Sequence, residues 1–264
     1  GLGEVSGILV VARDISSTVE LEERLRRQAV TDTLTRLPNR AELDAKLNDA
    51  LQAREERGVP FALLFIDLDR FKLVNDSLGH AVGDALLQQI GNRIRETFRP
   101  SDVVARIGGD EFAVLMSPAE SEVHVRGVAH RLQDALSVPF VIAGRQIPAA
   151  ASIGIVMGDA RYRTPDALLR DADTAMYEAK RKNGASYVLF SEAMHRRVAR
   201  RFRLETDLAG AAERGELEIH YQPIVALASG RVASFEALVR WRHPELGILK
   251  PGDFLDVATD RKST

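Results

Sequence analysis

The chain has 264 residues, and its 45% hydrophobic and 28% charged content is typical of a globular protein with a buried core. A formal net charge of −2 gives no general attraction for nucleic acid, and the absence of cysteine excludes disulfides and thiolate metal sites. No apolar run approaches the ~18 residues of a membrane span, and residues 1–10 lack the charged start of a signal peptide. We therefore expect a cytoplasmic chain that contacts neither nucleic acid nor membrane, with an upstream membrane tether in a longer protein left open.

The first thirty residues predict a strand followed by a helix. An apolar run ends residues 1–16, and charged residues spaced by Leu21 and Leu25 fill 17–30. Two turns of this heptad spacing are few for a coiled coil, so a solvated connector helix is the alternative.

The central part of the chain alternates predicted helices with predicted strands. The predicted helices cover 41–57, 83–98, 121–137 and 165–181. The predicted strands cover 61–69, a hairpin over 102–116, 139–143, 146–157 and 186–190. Because helices alternate with strands and one strand pair is an antiparallel hairpin, we expect an α+β domain with helices flanking a central mixed β-sheet.

A long arginine-rich helix is predicted over 192–214. We interpret its arginines as a solvated face rather than a nucleic-acid patch, because no aromatic residues lie between them. Predicted strands over 217–227 and 231–241 then open a further domain.

The segment Gly108-Gly109-Asp110-Glu111-Phe112 lies between two short apolar runs and predicts a β-hairpin with two adjacent acids at its turn. Glycine tolerates positive φ and has no Cβ, so the backbone there can turn sharply and approach a bulky ligand. Nothing apolar at such a turn needs two carboxylates. A hard divalent cation, and through it a triphosphate, is the partner that these acids favour.

Asp67 and Asp69 end a near-continuous apolar strand and, being two residues apart, point to the same face. Burying such acids is costly unless they bind a cation or accept strong hydrogen bonds. With Asp110 or Glu111 of the hairpin, Asp67 would form an oxygen-only site suited to Mg²⁺ and to substrate phosphates. The alternative is that Asp67 and Asp69 cap the strand and begin a turn.

Residues 71–84 add polar groups suited to a nucleotide. Lys72 can neutralise phosphate, and Asn75 and Asp84 carry donors and acceptors that fit the Watson–Crick edge of guanine. The alternative places Asn75 in a turn and Asp84 at a helix N-cap.

Together these motifs resemble the GGDEF family of diguanylate cyclases, over about residues 31–190. The matching segments are Thr31 to Arg40, Asp67 to Lys72, Asn75 to His80, Gly108 to Phe112, Ala151 to Ile155 and Asp171 to Lys180. Several motifs in order, at the family's spacing, are far more specific than one five-residue match. The resemblance implies a fold related to the polymerase palm and the class III nucleotidyl cyclases, with the signature on a β-hairpin.

The resemblance also implies an activity, the condensation of two GTP into cyclic di-GMP with release of two pyrophosphates. It implies Mg²⁺ (or Mn²⁺) as cofactor and an antiparallel homodimer, because each site holds one GTP. Carried over by position, Asp67, the Leu68 carbonyl and Asp110 hold the metal. Glu111 completes the catalytic set with Asp67 and Asp110, and helps to activate the attacking 3′-hydroxyl. The implied substrate-binding residues are Arg70, Phe71, Lys72, Asn75, Asp84, Gly108, Gly109 and Lys180.

One departure from the family pattern follows Lys180. Many members carry glycine and arginine three and four residues after this lysine, where this chain has Asn183 and Gly184. We hypothesise that Arg181 or Lys182 supplies the missing charge, so that alanine at both positions would weaken GTP binding.

The segment from Arg99 to Asp102 lies five residues before the glycine pair and resembles the family's inhibitory RxxD site. An arginine fork fits guanine O6 and N7, and an aspartate can accept from the other edge of the base. The resemblance therefore implies inhibition by the product, cyclic di-GMP. The alternative is a surface ion pair near the start of a strand.

Both flanks resemble neighbouring modules of such proteins. Residues 1–16 resemble the last strand of a PAS sensor domain, and Tyr221 to Trp241 resembles the opening of an EAL cyclic di-GMP phosphodiesterase domain. The EAL motifs include Gln222, Glu236 (a metal ligand in that family) and Arg240. Since the other ligands lie far downstream, and the chain ends 26 residues after Leu238, we expect no hydrolysis by this fragment. The predicted organisation is a PAS remnant (1–16), a linker helix (17–30), a GGDEF domain (31–191), a second linker helix (192–215) and the start of an EAL domain (216–264).

The leading hypothesis is an active, dimerising diguanylate cyclase module from a PAS-GGDEF-EAL protein. The first rival is a catalytically weak GGDEF module that binds GTP or cyclic di-GMP and regulates the adjoining EAL domain. A third interpretation is a dimerisation scaffold. The intact signature acids and base-reading residues favour the first hypothesis.

Overall fold

A computed structural model describes residues 29–181 and 186–260, with the backbone alone for 256–260. The PAS-like strand, most of the first linker helix and the hypothesised Lys182 lie outside these ranges, and the predictions made for them stay predictions. The chain divides into two compact units, one ending at Phe190 and the other starting at Ser191. Among residues 29–181 and 186–260, no helix is both long and apolar enough to cross a membrane.

The first unit contains five helices and seven strands among its described residues. Its helices are α1 (Arg40–Arg57), α2 (Phe71–Leu78), α3 (His80–Thr97), α4 (Glu122–Ser137) and α5 (Pro165–Lys180). Its strands are β1 (Phe61–Leu68), β2 (Val103–Gly108), β3 (Glu111–Met116), β4 (Phe140–Ile142), β5 (Arg145–Ile147), β6 (Ala151–Gly158) and β7 (Tyr187–Leu189). The expected α+β fold, with helices around a mixed sheet and the signature on a hairpin, is confirmed.

The main sheet has the order β2-β3-β1-β6-β7, and only the β6–β7 pair is parallel. Strand β1 lies at its centre and is buried along its whole length, as its apolar sequence predicted. Its even-numbered residues join the apolar core with α3 and α4. Because side chains alternate along a strand, the odd-numbered residues, including Asp67, face the opposite side of the sheet, where α5 packs.

The helix starts follow from local sequence. Asn39, Ser121 and Thr164 are N-caps whose side chains accept a backbone N–H in the first turn. Pro165 then begins α5 at the position where its missing N–H costs nothing.

One alternative and one prediction about secondary structure are wrong. Residues 71–84 are helical apart from Gly79, so Asn75 lies inside α2 and Asp84 in the second turn of α3, and neither is the turn or N-cap residue of the alternative. The single strand predicted over 146–157 is two strands. Among the described strands, β5 pairs only with β4, and β6 begins again at Ala151 in the main sheet. Pro148 between them has no N–H for a strand ladder, which explains the break.

The second unit contains α6 (Glu192–Leu208), β8 (Leu217–Val225), β9 (Val232–His243), β10 (Gly247–Leu249) and α7 (Pro251–Asp260). Its antiparallel sheet has the order β10-β9-β8. The arginine-rich helix ends at Leu208, earlier than predicted, and Gly210 and Gly215 with positive φ turn the chain toward β8. Arg201 of α6 is buried and paired with Glu205, which is a structural role and not a nucleic-acid contact.

Candidate active site

The end of β1 brings three polar side chains to one face of the sheet. In the strand register, Asp67 lies opposite Glu111 of β3 on one side and Ser152 of β6 on the other. Directly opposed residues of antiparallel strands point to the same face. Asp67 is only 7% exposed, so its carboxylate has little access to water. The fold thus brings Asp67 and the second signature acid together.

The signature turn is fastened to the end of β1. Gly109 has a φ of 51°, a left-handed conformation that glycine adopts without a steric penalty. The carbonyl of the next residue, Asp110, accepts a hydrogen bond of 3.3 Å from the Leu68 backbone N–H. This contact places both signature acids within reach of the strand end that carries Asp67.

Asp67 and Asp69 have different partners. Asp69 accepts a hydrogen bond from the Ser152 hydroxyl at 2.8 Å, and its backbone N–H donates to the Ala150 carbonyl at 2.9 Å. The alternative of a strand-ending turn therefore describes Asp69. It does not describe Asp67, because that carboxylate binds Lys180, the last residue of α5, whose Nζ lies 2.7 Å from Asp67 Oδ1.

The carboxylates around Asp67 destabilise one another's charge. Burial raises the pKa of the Asp67 carboxyl; Lys180 opposes this rise, and the nearby charges of Asp110 and Asp69 add to it. Burial likewise raises the pKa of Glu111, and repulsion from Asp67, Asp173 and Asp110 adds to that rise. A cation among these groups would relieve the repulsion that raises their pKa values.

Asp173 was not among the site residues predicted from the sequence. The charge of this α5 residue adds to the repulsion that raises the pKa of Glu111. Burial raises the pKa of Asp173 itself, and the charge of Lys180 opposes that rise. Its position in the motif from Asp171 to Lys180 could have indicated it. Asp173 precedes Lys180 by seven residues, so the two lie on the same side of the helix.

The donors at this site fit magnesium by their chemistry. Asp67, Asp110 and Glu111 supply carboxylate oxygens, and Leu68 supplies a backbone carbonyl. Among the described residues, no three His, Cys, Asp or Glu side chains are gathered closely enough to enclose a metal ion by themselves. Mg²⁺ is commonly held by one or two carboxylates together with substrate phosphates, so the residues present fit an ion that arrives with a nucleotide.

Arg106 fixes the signature turn from the side. Its Nε and Nη2 donate to the Gly109 carbonyl at 3.1 and 2.7 Å, and its Nη1 binds the Asp32 carboxylate. Thr35 donates to the same carboxylate through its backbone N–H and its hydroxyl. This arrangement was not predicted from the sequence. The spacing of Asp32 and Thr35, which favours a turn closed by the aspartate side chain, was the available clue.

A pocket of about 1080 Å³ opens beside Asp67, between α2 and the chain that joins β5 to β6. Asp67, Asp110, Lys180, Arg70 and Lys72 line its polar part. Its apolar wall is formed by Phe71, Leu73, Val74, Leu78, Ile147 and Pro148. The volume suits a nucleotide, and the charges suit phosphates bridged by a metal.

The proposed base-reading residues lie beside this pocket and do not line it. Asn75 belongs to α2 and Asp84 to α3, and the two helices meet at Gly83. A Cβ at Gly83 would lie 1.9 Å from Asn75 Oδ1, so the Asn75 amide rests directly on the backbone of α3. This contact places the side chain of Asn75 next to the helix that carries Asp84.

Arg99 and Asp102 form a tight turn, in which the Arg99 backbone N–H donates to Asp102 Oδ2 at 3.0 Å. The guanidinium of Arg99 reaches Glu120 at 3.8 Å and does not pair with Asp102. Both residues line a cavity of about 520 Å³ together with Lys46 and Arg95. The alternative of a surface ion pair near the start of a strand therefore describes Arg99, with Glu120 and not Asp102 as its partner.

In the second unit, the EAL-like residues lie on adjoining strands. Gln222 of β8 is directly opposite Glu236 of β9, and both are exposed. Arg240 of β9 is half-buried and donates to the Val239 carbonyl at 2.9 Å. These residues belong to a different unit from the pocket beside Asp67.

Comparisons with known proteins show which families the two units resemble. A sequence profile described as "Diguanylate cyclase, GGDEF domain" matches residues 29–186, and one described as "EAL domain" matches residues 205–263. The GGDEF domain of TpbB (YfiN) from Pseudomonas aeruginosa is 43% identical with a TM-score of 0.62, over 64% of this chain and 99% of that chain. The coiled coil and GGDEF domain of DgcB from Caulobacter crescentus, a structure in complex with c-di-GMP, is 28% identical with a TM-score of 0.60, over 66% of this chain and 95% of that chain.

Two curated relatives are longer than this chain. The bifunctional diguanylate cyclase/cyclic di-GMP phosphodiesterase MucR of Pseudomonas aeruginosa is 40% identical over 243 residues, which make up 92% of this chain and 35% of MucR. The cyclic di-GMP phosphodiesterase PdeR of Escherichia coli is 38% identical over 247 residues, which make up 94% of this chain and 37% of PdeR. The chain thus spans about a third of the length of these relatives. It belongs to the GGDEF family of diguanylate cyclases, and its GGDEF domain is followed by part of an EAL domain.

Proposed function

We propose that this chain is an active diguanylate cyclase module that condenses two GTP into cyclic di-GMP. The observation that carries the proposal is the register of β1, which sets Asp67 opposite Glu111 and beside the Asp110 turn, with Lys180 on the same carboxylate. This arrangement offers oxygen ligands for a metal–phosphate complex and an ammonium group for the phosphate charge.

In the proposed reaction, the 3′-hydroxyl oxygen of one GTP attacks the α-phosphorus of a second GTP. The new P–O bond forms as the bond between the α-phosphorus and the oxygen bridging to the β-phosphorus breaks, and pyrophosphate leaves. Glu111 accepts the hydroxyl proton. The 3′-hydroxyl oxygen of the second GTP then attacks the α-phosphorus of the first in the same way. The second pyrophosphate leaves and the ring closes.

Each chain of the proposed antiparallel homodimer binds one GTP. Asp67, Asp110 and the Leu68 carbonyl would hold Mg²⁺ or Mn²⁺, which supplies positive charge that stabilises the reacting phosphates. Lys72 and Lys180 bind phosphate oxygens. The backbone around Arg70, Phe71, Gly108 and Gly109 completes the triphosphate site, and Asn75 and Asp84 read guanine.

We also propose that cyclic di-GMP inhibits the module at Arg99 and Asp102. The side chain of Arg99 is 54% exposed, and its acidic neighbour Glu120 is 3.8 Å away, so a guanine edge can replace this weak surface pair. The cavity of about 520 Å³ that these residues line is large enough to admit a base.

The test is to incubate the purified chain with GTP and MgCl₂ and to measure cyclic di-GMP and pyrophosphate by chromatography. We expect both products from the wild type, a rate per chain that rises with protein concentration, and none from Asp110→Asn. Glu236→Gln, which changes an acid of the EAL-like part, is the matched control and should leave synthesis unchanged. An inactive wild type at high protein concentration would overturn the proposal.

A second candidate function is a nucleotide-binding module that regulates an adjoining EAL domain. The observation in its favour is that relatives at 38 and 39% identity, PdeR and NbdA, are named as cyclic di-GMP phosphodiesterases. GTP binding without product, measured by calorimetry on the same sample, would favour this candidate.

Product inhibition that is equal in the wild type and in Arg99→Ala would contradict the proposed inhibitory site at Arg99 and Asp102.

A further inference from the structure

Helix α5 approaches strand β6 at the backbone of Gly154. This residue is buried in the middle of β6, between Phe65 of β1 and Val188 of β7. A Cβ at Gly154 would lie 1.9 Å from the carbonyl oxygen of Ala172 and 2.4 Å from the backbone nitrogen of Met176. Both atoms belong to the main chain of α5, so a side-chain rotation cannot remove the clash.

The reason for glycine here is space and not backbone conformation. Gly154 is absent from the described glycines with positive φ, so alanine could adopt its backbone angles. Three of the seven buried residues of α5 are also small: Ala172, Ala175 and Ala179 are all 0% exposed. The helix therefore lies directly on the sheet, at a depth that one added methyl group would change.

The depth of α5 determines where Lys180 lies. Lys180 follows Met176 by four residues, so it occupies the same side of the helix one turn later. Its Nζ is 2.7 Å from Asp67 Oδ1, and this ion pair joins the end of α5 to the central strand. A methyl group at Gly154 would move the helix outward by about 1 Å, a displacement that is large for a group that must meet a phosphate.

We propose that Gly154 is a positioning residue for the synthesis of cyclic di-GMP, because it sets the depth of α5 and so holds the Lys180 ammonium at Asp67. The proposal rests on the function proposed above and adds a residue that touches neither metal nor nucleotide. Its effect passes through Lys180, the residue of α5 that contacts Asp67.

The first experiment compares Gly154→Ala with Gly158→Ala in the same strand. A Cβ at Gly158 would lie 2.4 Å from the Phe61 ring, so this control is also crowded, but by a side chain and not by α5. We expect Gly154→Ala to lower kcat/KM for GTP at least tenfold, at a temperature where circular dichroism shows both variants folded. Gly158→Ala should stay within threefold of the wild type.

A double-mutant cycle with Lys180→Ala separates positioning from a general loss of packing. In the Lys180→Ala background, Gly154→Ala should lower kcat/KM by less than twofold. An equal loss in both backgrounds would overturn the proposal, because the glycine would then act without Lys180.

A third measurement does not depend on activity. Brief acetylation by an N-hydroxysuccinimide ester, followed by peptide mass spectrometry, reports how freely the Lys180 amine reacts. We expect at least threefold faster acetylation of Lys180 in Gly154→Ala than in the wild type or Gly158→Ala. Unchanged reactivity would overturn the positioning role even if Gly154→Ala lowers synthesis. An inactive wild type with the expected reactivity would contradict the proposed function alone. Should Gly154→Ala fail to fold, Ala175→Val adds bulk on the buried face of α5, and the same outcomes decide.

Discussion

Arg106 and Asp32, 74 residues apart in the chain, share a two-point ion pair in which one guanidinium nitrogen contacts both carboxylate oxygens, at 3.0 and 3.1 Å. The other side of the same guanidinium holds the Gly109 carbonyl. Burial alone would raise the pKa of Asp32, but the hydrogen bonds from Thr35 and the charge of Arg106 outweigh it and leave the pKa lowered. The segment before α1 is therefore attached, through one arginine, to the turn that carries the signature acids.

We expect Arg106→Lys to destabilise the first unit by about 2 kcal/mol, because lysine has one point of contact and cannot bond Asp32 and Gly109 together. Urea unfolding measures the loss. The control is Arg95→Lys, whose arginine is exposed on α3, and it should change stability by less than about 0.5 kcal/mol. If the two variants were equally stable, the paired contacts of the Arg106 guanidinium with Asp32 and Gly109 would contribute nothing measurable to stability.

Replacement of Gly83 by alanine should weaken GTP binding about tenfold, which corresponds to about 1.4 kcal/mol, because the added Cβ displaces the Asn75 amide. Calorimetry on the inactive Asp110→Asn background measures binding without turnover. Gly127→Ala is the matched control, since a Cβ there meets nothing within 4 Å and alanine favours a helix. If Asn75→Ala binds GTP as well as the wild type, the role given to Asn75 is wrong.

Tyr162→Phe should lower the stability of the first unit by about 1–2 kcal/mol. The Tyr162 hydroxyl donates to Asp171 Oδ2 at 2.9 Å, and Asp171 is 4% exposed, so the deletion leaves a buried carboxylate with one donor fewer. Thermal unfolding followed by circular dichroism measures the change. Tyr177→Phe, on the exposed side of α5, should leave the unfolding temperature within error of the wild type.

The second unit should lose a specific contribution to stability in acid. Hydrogen bonds from Arg214 and from the Trp241 indole lower the pKa of Glu216 to about 2, from an ordinary value of 4.5. A carboxyl with a lowered pKa stabilises the folded state above its unfolded pKa, and this contribution is lost as the pH falls through the folded value. Glu216→Gln should therefore be less stable than the wild type at neutral pH, and the difference should shrink toward pH 2.

Trp241 is the only tryptophan of the chain and is buried in the core of the second unit, so its fluorescence during urea unfolding reports that unit. Glu213→Gln, at a neighbouring exposed acid, is the control and should track the wild type at each pH. A difference between wild type and Glu216→Gln that persists undiminished near pH 2 would contradict the assignment.

The meeting of Asp67 with the signature acids was predictable from sequence, because an acid ending an apolar strand and a hairpin with acids at its turn leave few other placements. The helical state of Asn75 was not, since residues 71–78 include Asn75, Asp76 and Ser77, which usually favour turns. In the structure, Phe71 is buried in the core and the helix is stabilised by packing.

Contacts between distant segments were the least predictable part of the site. No local pattern shows that Arg106 reaches Asp32, or that the Gly154 backbone meets Ala172, since both contacts depend on how helices and strands pack. The same holds for Lys180. Its motif indicated a phosphate ligand, whereas its contact with Asp67 depends on the depth of α5.

The register of β1 couples the packing of the core to the position of the Asp67 carboxylate. Asp67 lies among seven other buried residues of β1, and side chains alternate between faces, so a shift of one residue would turn Asp67 into the apolar core and Ile66 toward Glu111. A chain paired in that way could not bury its core without burying a charge. A chain that buries its core correctly must therefore also place Asp67 on the face of the sheet where the pocket lies.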